Sequence, residues 1–209
     1  MDKNNAVLPK ALVFLLLFMA GSVYAQETKN ATLRYFNQTE AGFSFGIGSF
    51  KTDNDQGARH SVKNDEIVIT LQNINGVMVG DHVGIGVSIG VEKWQHGLFW
   101  PLYGYLQYHF RPGDKTFFAA AYIGYAWGTR YATTYYQEGK GAFAFSLGIG
   151  YKMRVAKKVS FMYEVFYKYQ AIESKYTVYY DDSIPPHTSV VDYKIPLSFA
   201  GLKIGVVFP

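Results

Sequence analysis

The sequence predicts an all-β protein folded as an eight-stranded antiparallel up-and-down transmembrane β-barrel, and three observations support this. Apolar residues alternate with small or polar residues at a period of two along most of the chain. Aromatic residues make up 18% of the 209 residues, and there are 21 glycines. After residue 25, no segment is apolar enough for a transmembrane helix, and no long segment has the spacing of an amphipathic helix.

The first 25 residues predict a signal peptide. Lys3 and Lys10 form a short basic region, and the apolar run ALVFLLLFMA follows at 11–20. A membrane anchor needs about 20 apolar residues, so this run is too short for one. The sequence Val23-Tyr24-Ala25 has the small or compact outer residues that signal peptidase reads. We expect cleavage after Ala25, a short periplasmic segment over 26–37 and the barrel over 38–209.

Composition excludes several classes of protein. The chain has no cysteine, which rules out a lipoprotein anchor at the cleavage site and a small domain held by disulfides. The formal net charge of +4 is mild, and no basic stripe or RNA-binding motif accompanies it, so we expect no nucleic-acid partner. No metal-ligand spacing of the recognised kinds is present, and we expect no metal and no cofactor.

Eight alternating segments are the predicted strands. The clearest is 142–155, in which Phe143, Phe145 and Leu147 share one face with Ile149, while glycine, alanine, serine and basic residues occupy the other. The remaining segments are 42–50, 66–79, 83–93, 102–111, 117–130, 159–172 and the C-terminal segment that contains 201–208. Within 66–79, the run Asn73-Ile74-Asn75-Gly76 disturbs the alternation, so we expect a β-bulge there.

The predicted connections alternate in length. Long or polar connections fall at 51–65, 94–100, 132–141 and 175–194, and short ones fall near 80–81, 111–114 and 156–158. Long loops on one side, tight turns on the other and an even number of strands are typical of outer-membrane barrels. Both chain ends then lie on the periplasmic side.

The composition of the two strand faces indicates which one points outward. A soluble barrel would bury the Phe, Ile, Val and Tyr face and would expose a face of glycine, alanine and serine, which makes a poor solvent surface. In a membrane barrel of eight strands, the narrow interior must be filled by side chains, so small residues and a few paired charges fit there. A Lys or Arg on the lipid face costs about 2–4 kcal/mol at the midplane. In the clear strands, only Lys93 lies on that face, at a strand end.

On these segments the sequence resembles the small outer-membrane β-barrel family that includes outer-membrane protein X and the membrane domain of outer-membrane protein A. It also resembles the porin-family barrels of Bacteroidetes-type bacteria. The residues that carry the resemblance are AGFSFGIG at 41–48, VGIGVSIGVE at 83–92, PLYGYLQYHF at 101–110 and the C-terminal strand. The resemblance covers about 38–208 and implies a location in the cell outer membrane of a Gram-negative bacterium, in contact with outer-membrane lipids.

The family resemblance also implies an assembly signal in the last strand. In that family, a final strand ending in an aromatic residue looks like the signal read by the barrel-assembly machinery. Leu202, Ile204, Val206 and Phe208 fit this pattern, whereas Pro209 departs from the usual terminal Phe.

Charged residues on the inner face predict ion pairs in the lumen. Glu164, Lys152 and Lys203 lie on three consecutive strands near the short-turn end. Because an unpaired buried charge is strongly disfavoured, we predict that Glu164 pairs with Lys203 or Lys152. Glu92, Lys168 and Arg130 form a second predicted group nearer the long connections. These groups are either a structural polar core or a gate for ions.

The five histidines of the chain are candidates for catalytic residues. They are His60, His82, His96, His109 and His187. His187-Thr188-Ser189 has the His-x-Ser spacing of lipid A deacylases, but it lies in a polar segment, and Asp181, Asp182 and Ser183 are only near it in sequence. General base catalysis requires partners within hydrogen-bond reach, which spacing cannot show. We expect His109 to face the lumen and the protein to have no enzymatic activity.

The connection at 175–194 carries Tyr176, Tyr179 and Tyr180. Exposed tyrosines can anchor a partner, so capture of an extracellular ligand is one hypothesis, and an aromatic loop resting at the lipid headgroups is the other.

Three functional hypotheses follow. The first is a monomeric, non-enzymatic integral outer-membrane barrel with a filled lumen and a structural or surface-interaction role. The alternative is a narrow ion or small-solute channel, and the second alternative is a lipid-modifying enzyme.

Overall fold

The computed structural model describes residues 33–53, 59–95, 97–131, 138–139, 141–180 and 187–208. The strands are β1 (Leu33–Ile47), β2 (Ser49–Asp53), β3 (Arg59–Lys63), β4 (Ile67–Val79), β5 (Val83–Trp94), β6 (Gly97–His109), β7 (Lys115–Tyr131), β8 (Glu138–Gly139), β9 (Ala142–Ala156), β10 (Val159–Tyr180) and β11 (His187–Phe208). No helix in these ranges is long and apolar enough to cross a membrane. The predicted signal peptide lies outside the described residues.

Eight of these strands form a closed barrel. The order is β11-β1-β4-β5-β6-β7-β9-β10, every neighbouring pair is antiparallel, and β11 pairs with both β1 and β10. The prediction of an eight-stranded antiparallel up-and-down barrel is therefore confirmed. β2 and β3 form a separate hairpin between β1 and β4, and the short β8 pairs with β10.

The two strand faces are divided as the alternation predicts. On β6, Leu102 and Leu106 are 42% and 50% exposed, whereas Tyr103 and Tyr105 are 4% and 2% exposed. Successive side chains point to opposite faces of a strand, so one parity faces outward and the other fills the lumen. The outward face of the barrel is thus dominated by apolar side chains.

The barrel begins earlier than expected. β1 starts at Leu33, inside the segment 26–37 that was predicted to precede the barrel. Leu33 pairs in register with Val79, and the Arg34 guanidinium lies 2.6 Å from the Asp81 carboxylate in the β4–β5 turn. Pairing with the full length of β4 therefore extends the first strand beyond what its own alternation indicates.

The predicted bulge in β4 is wrong. β4 pairs with β1 and β5 without any shift in register. Asn73 and Asn75 keep the parity of Ile69 and Leu71 and point outward. A change of polarity on the outward face, rather than an irregular backbone, disturbs the alternation.

Three predicted long connections are largely strand, and in the first, 51–65, most residues belong to β2 and β3. β5 ends at Trp94 and β6 begins at Gly97, so two residues replace the connection predicted at 94–100. The segment 175–194 was also predicted as a loop. Instead, β10 and β11 stay paired from Ile172↔Ile195 to Tyr180↔His187. The polar side chains of this segment suggested a loop. Pairing between the two strands instead satisfies the backbone hydrogen-bonding groups of the segment.

Candidate functional site in the barrel lumen

Glycines on the inner face make room for large side chains from other strands. A Cβ on Gly148 of β9 would lie 2.3 Å from Glu164 Oε1, and one on Gly150 would lie 2.3 Å from the Phe118 ring. Both distances are too short for a real Cβ. The inner glycines thus mark close approach of side chains across the lumen.

The centre of the lumen holds two carboxylates and one ammonium. Lys203 Nζ lies 3.2 Å from Glu164 Oε1 and 3.8 Å from Glu40 Oε2. Glu40 and Glu164 are each 1% exposed, and Lys203 is 6% exposed. Glu164 and Lys203 are direct register partners on β10 and β11, while Glu40 reaches the cluster from β1.

Neutral donors complete the shell around Glu40. Gln38 Nε2 donates to Glu40 Oε1 and Gln72 Nε2 to Glu40 Oε2, each at 2.5 Å. The Tyr122 hydroxyl lies 3.1 Å from both Glu40 oxygens and 3.2 Å from Glu164 Oε2. Hydrogen bonds to the charged form stabilise a buried carboxylate. These donors therefore compensate for the lack of a second cation beside the two acids.

Aromatic faces also contact the central ammonium. Lys203 Nζ lies 3.6 Å from the centroid of the Tyr122 ring and 4.7 Å from that of Phe166. A desolvated cation over an aromatic ring gains about 2 kcal/mol. Lys203 is therefore held by carboxylates and by π-faces at once.

A second ion pair lies nearer the long-connection end. Lys168 Nζ is 2.5 Å from Glu92 Oε2, and both side chains are buried. The Tyr103 hydroxyl donates to Glu92 Oε1 at 3.1 Å, and Trp94 Nε1 donates to Oε2 at 3.3 Å. This group is neutral overall, and Arg130, predicted to belong to it, has a side chain outside the described residues.

An apolar layer, which we call the plug, lies around and beyond the Glu92–Lys168 pair. The ring centroids of Trp94 and Phe99 are 4.9 Å apart, as are those of Trp94 and Phe199. Trp94, Phe99 and Phe199 are at most 1% exposed. The remaining members of the plug are Val68, Ala126, Ile172, Ile195 and Leu197.

A smaller group of basic residues lies at the short-turn end of the lumen. Lys152 was predicted as the alternative partner of Glu164, but its Nζ lies 3.3 Å from Nδ1 and 3.4 Å from Nε2 of His109 instead. Lys152 lies two residues along β9 from Gly150, the register partner of Glu164, and is itself the register partner of the buried Met162. His109 is buried and faces the lumen, as its parity predicts.

The outward face carries a polar cluster that sequence reasoning missed. Asn37 Nδ2 donates to Asn73 Oδ1 at 3.1 Å and to Asn75 Oδ1 at 2.8 Å, and Asn73 Nδ2 donates to the Thr39 hydroxyl at 3.0 Å. The Tyr35 hydroxyl also bonds to Asn75. Asn37 and Asn73 are 8% and 5% exposed because they cover one another. The disturbed alternation in β4 was the signal for it.

The other predicted residues are placed as follows. Leu202, Ile204 and Phe208 point outward and are exposed, and Val206 shares their face and is half-buried. Tyr176, Tyr179 and Tyr180 lie on β10 where it pairs only with β8 and β11, and their side chains, like those of His60 and His187, are outside the described residues. No group of His, Asp or Glu among the described residues could hold a metal ion.

Comparison with known proteins shows which solved structures share this fold. No protein-family model matches the sequence, and no curated protein matches it. Among solved structures, Neisserial surface protein A aligns with a TM-score of 0.53 and 11% identity over 84% of this chain and 97% of that one. The outer membrane protein OprG from Pseudomonas aeruginosa aligns at 0.52, with 13% identity over 83% and 95%. The outer membrane protein AlkL aligns at 0.51, with 12% identity over 88% and 94%. The chain therefore shares the fold of small barrels that reside in outer membranes.

Proposed function

We propose that this chain is an integral protein of a Gram-negative outer membrane whose barrel is closed to solutes and whose role is structural or surface interaction. The observation that carries this proposal is the filled lumen. The plug, the Glu92–Lys168 pair and the Glu40–Glu164–Lys203 cluster succeed one another along the barrel axis.

The outward face supports insertion into lipid. Ile149, Val165 and Leu202 are 64%, 63% and 61% exposed, and similar side chains lie on every barrel strand. Soluble monomers rarely expose contiguous apolar patches above a few hundred Å², whereas an apolar band around the outside is what a bilayer requires.

Fractionation of expressing cells tests this location. We expect the protein in the outer-membrane fraction, with a gel mobility that changes on heating because the closed barrel survives detergent until boiled. Recovery as a soluble periplasmic protein without heat-modifiable mobility would contradict the proposal.

Planar-bilayer recording separates a closed barrel from the narrow channel. We expect the native protein to show no discrete conductance steps. A variant that removes two of the three aromatic rings of the plug, Trp94→Ala with Phe199→Ala, is the matched control and should conduct more. Stable steps from the native protein at moderate voltage would favour the channel.

A surface-interaction role rests on the hairpin that β10 and β11 form beyond the barrel. From Ile172 to Tyr180, β10 runs nine residues, which is about 30 Å at the usual rise of a strand. We propose that this hairpin, which carries Tyr176, Tyr179 and Tyr180, projects on the extracellular side and contacts a partner. Replacing the three tyrosines by serine should reduce attachment or settling of expressing cells without changing the amount of folded barrel. Unchanged attachment would contradict a role of the hairpin tyrosines in binding a partner.

A lipid-modifying enzyme is the remaining alternative. His82 and His109 have described side chains. His82 Nδ1 lies 2.7 Å from the backbone oxygen of His109, and the His109 ring lies against Lys152. Neither contact joins a histidine to a hydroxyl or thiol nucleophile. Mass spectrometry of lipid A from cells with and without the gene tests this alternative, and we expect identical spectra.

Biogenesis and oligomeric state belong to the same proposal. We propose that the barrel-assembly machinery inserts the chain through the outward residues of β11, and that the folded protein is a monomer without a cofactor. A mass of one chain by light scattering in detergent is the expected result.

A further inference from the structure

The short-turn end of the barrel contains a cavity of about 210 Å³ that neither the filled lumen nor the apolar outer face explains. Phe36, Met78, Val159 and Val207 are apolar residues of its wall, and the remaining lining residues belong to β1, β6, β9, β10 and the short turns. We call this cavity the vestibule. Lys152 lines the vestibule, whereas Glu164 and Lys203 do not.

Charge in the vestibule is unbalanced. Among the described residues, four cationic side chains line it, Arg34, Lys152, Arg154 and Lys158, against two carboxylates, Asp81 and Asp114. Each carboxylate already contacts an arginine at the rim, Asp81 with Arg34 at 2.6 Å and Asp114 with Arg154 at 2.8 Å. The excess is therefore positive.

Two inward donors in the vestibule have no carboxylate or carbonyl partner among the described residues. Lys152 Nζ contacts the ring of His109 but no carboxylate among the described residues. Gln107 is 2% exposed, and its Nε2 has no hydrogen-bond partner in the described structure. A buried donor that stays unpaired is unfavourable, and this applies to the Gln107 amide. In the described part of the chain, the half-buried Lys152 ammonium bonds only to the imidazole nitrogens of His109. An acceptor that carries negative charge would satisfy both groups.

We propose that the vestibule binds a small oxyanion, namely a phosphate or carboxylate group, between Lys152 and Gln107. Drug-sized pockets measure about 300–1,000 Å³, so the vestibule suits a free anion or the anionic end of a larger molecule. Its position on the periplasmic side rests on the proposed function, whereas the binding itself requires only the folded barrel.

Calorimetric titration of the folded chain in dodecyl maltoside, a neutral detergent, tests the site. Sodium phosphate, sodium acetate and a soluble short-chain phosphatidic acid serve as three separate probes. Binding of any one supports the site, and the tightest of them identifies its source as free phosphate, a carboxylate or a lipid headgroup. Absence of binding by all three overturns the proposal.

Variants locate the binding. Lys152→Met and Gln107→Leu should each lower the affinity for the anion about tenfold or more, because each removes a hydrogen-bond donor to a charged group. Lys115→Met is the matched control, since Lys115 is exposed near the same end but lies outside the vestibule. Equal weakening in the control would assign the effect to overall charge and overturn the site.

Gln107→Glu supplies the anion from within the protein. The added carboxylate occupies the volume of the amide and should pair with Lys152, so titration should show no binding while the heat-modifiable mobility persists. Persistent binding in this variant would contradict the proposal. Conductance tests the proposed function separately. An open channel would contradict the proposal of a closed lumen, but it would leave the result of the anion titration unchanged.

Discussion

Glu164 and Lys203 face each other directly across β10 and β11, with 3.2 Å between Glu164 Oε1 and Lys203 Nζ. The same ammonium lies 3.8 Å from Glu40 Oε2. One ammonium therefore lies close to two buried carboxylates. If it is removed, both carboxylates are left without a cation.

Removing that cation should destabilise the barrel strongly. We expect Lys203→Met to lower the free energy of unfolding by about 3–5 kcal/mol, since it leaves buried carboxylates without a cation. Urea unfolding in lipid vesicles, followed by tryptophan fluorescence, measures the change. In a double-mutant cycle, Glu164→Gln with Lys203→Met should cost less than the sum of the single variants. Additive costs would mean that the two side chains do not interact.

The inner glycines should tolerate no side chain where a carboxylate comes close. Gly148→Ala places a Cβ 2.3 Å from Glu164 Oε1, and such overpacking typically costs about 1–3 kcal/mol. Gly104→Ala is the control, because Gly104 points outward and its nearest neighbour is the Ile123 backbone oxygen at 3.6 Å. Unfolding midpoints in urea should fall for the first variant and stay close to the native value for the second. Equal midpoints would show that the lumen is not tightly packed at Glu164.

The outward asparagine cluster should respond differently to single and combined substitutions. Asn73→Leu removes hydrogen bonds from Asn37, Asn75 and Thr39. We expect a loss of about 1–3 kcal/mol, the cost of leaving buried polar groups unsatisfied. Replacing Asn37, Asn73 and Asn75 together by leucine or valine should recover most of it, since an entirely apolar surface suits lipid. If the triple variant is the least stable of the set, the cluster has a role beyond satisfying its own members.

The last strand should matter more for assembly in cells than for stability. Phe208 is exposed on the outward face of β11 at the chain end, and Phe208→Ala should reduce the amount of protein in the outer membrane several-fold. Refolding of the same variant into detergent should proceed normally. Leu106→Ala, an equally outward residue on β6, is the control for lost lipid contact. A matching loss for both variants in cells would argue against a signal in β11.

The sequence alone determined the number of strands, the antiparallel order and the outward parity. These follow from a local pattern, because an alternation of period two assigns each side chain to a face without reference to any other strand. It also brought Glu164 and Lys203 together, since the two residues lie at matching heights on consecutive strands.

Only the tertiary structure decided how the lumen is filled. Glu40 and Tyr122 are 82 residues apart and belong to strands that are not neighbours in the barrel. Glu92 and Lys168 likewise meet across the interior rather than along a pair of strands. Such contacts depend on closure of the barrel and on the register of every pair around it, which no single segment encodes. The same holds for the vestibule, which Gln107 and Lys152 both line because β6 and β9 end on the same side of the barrel.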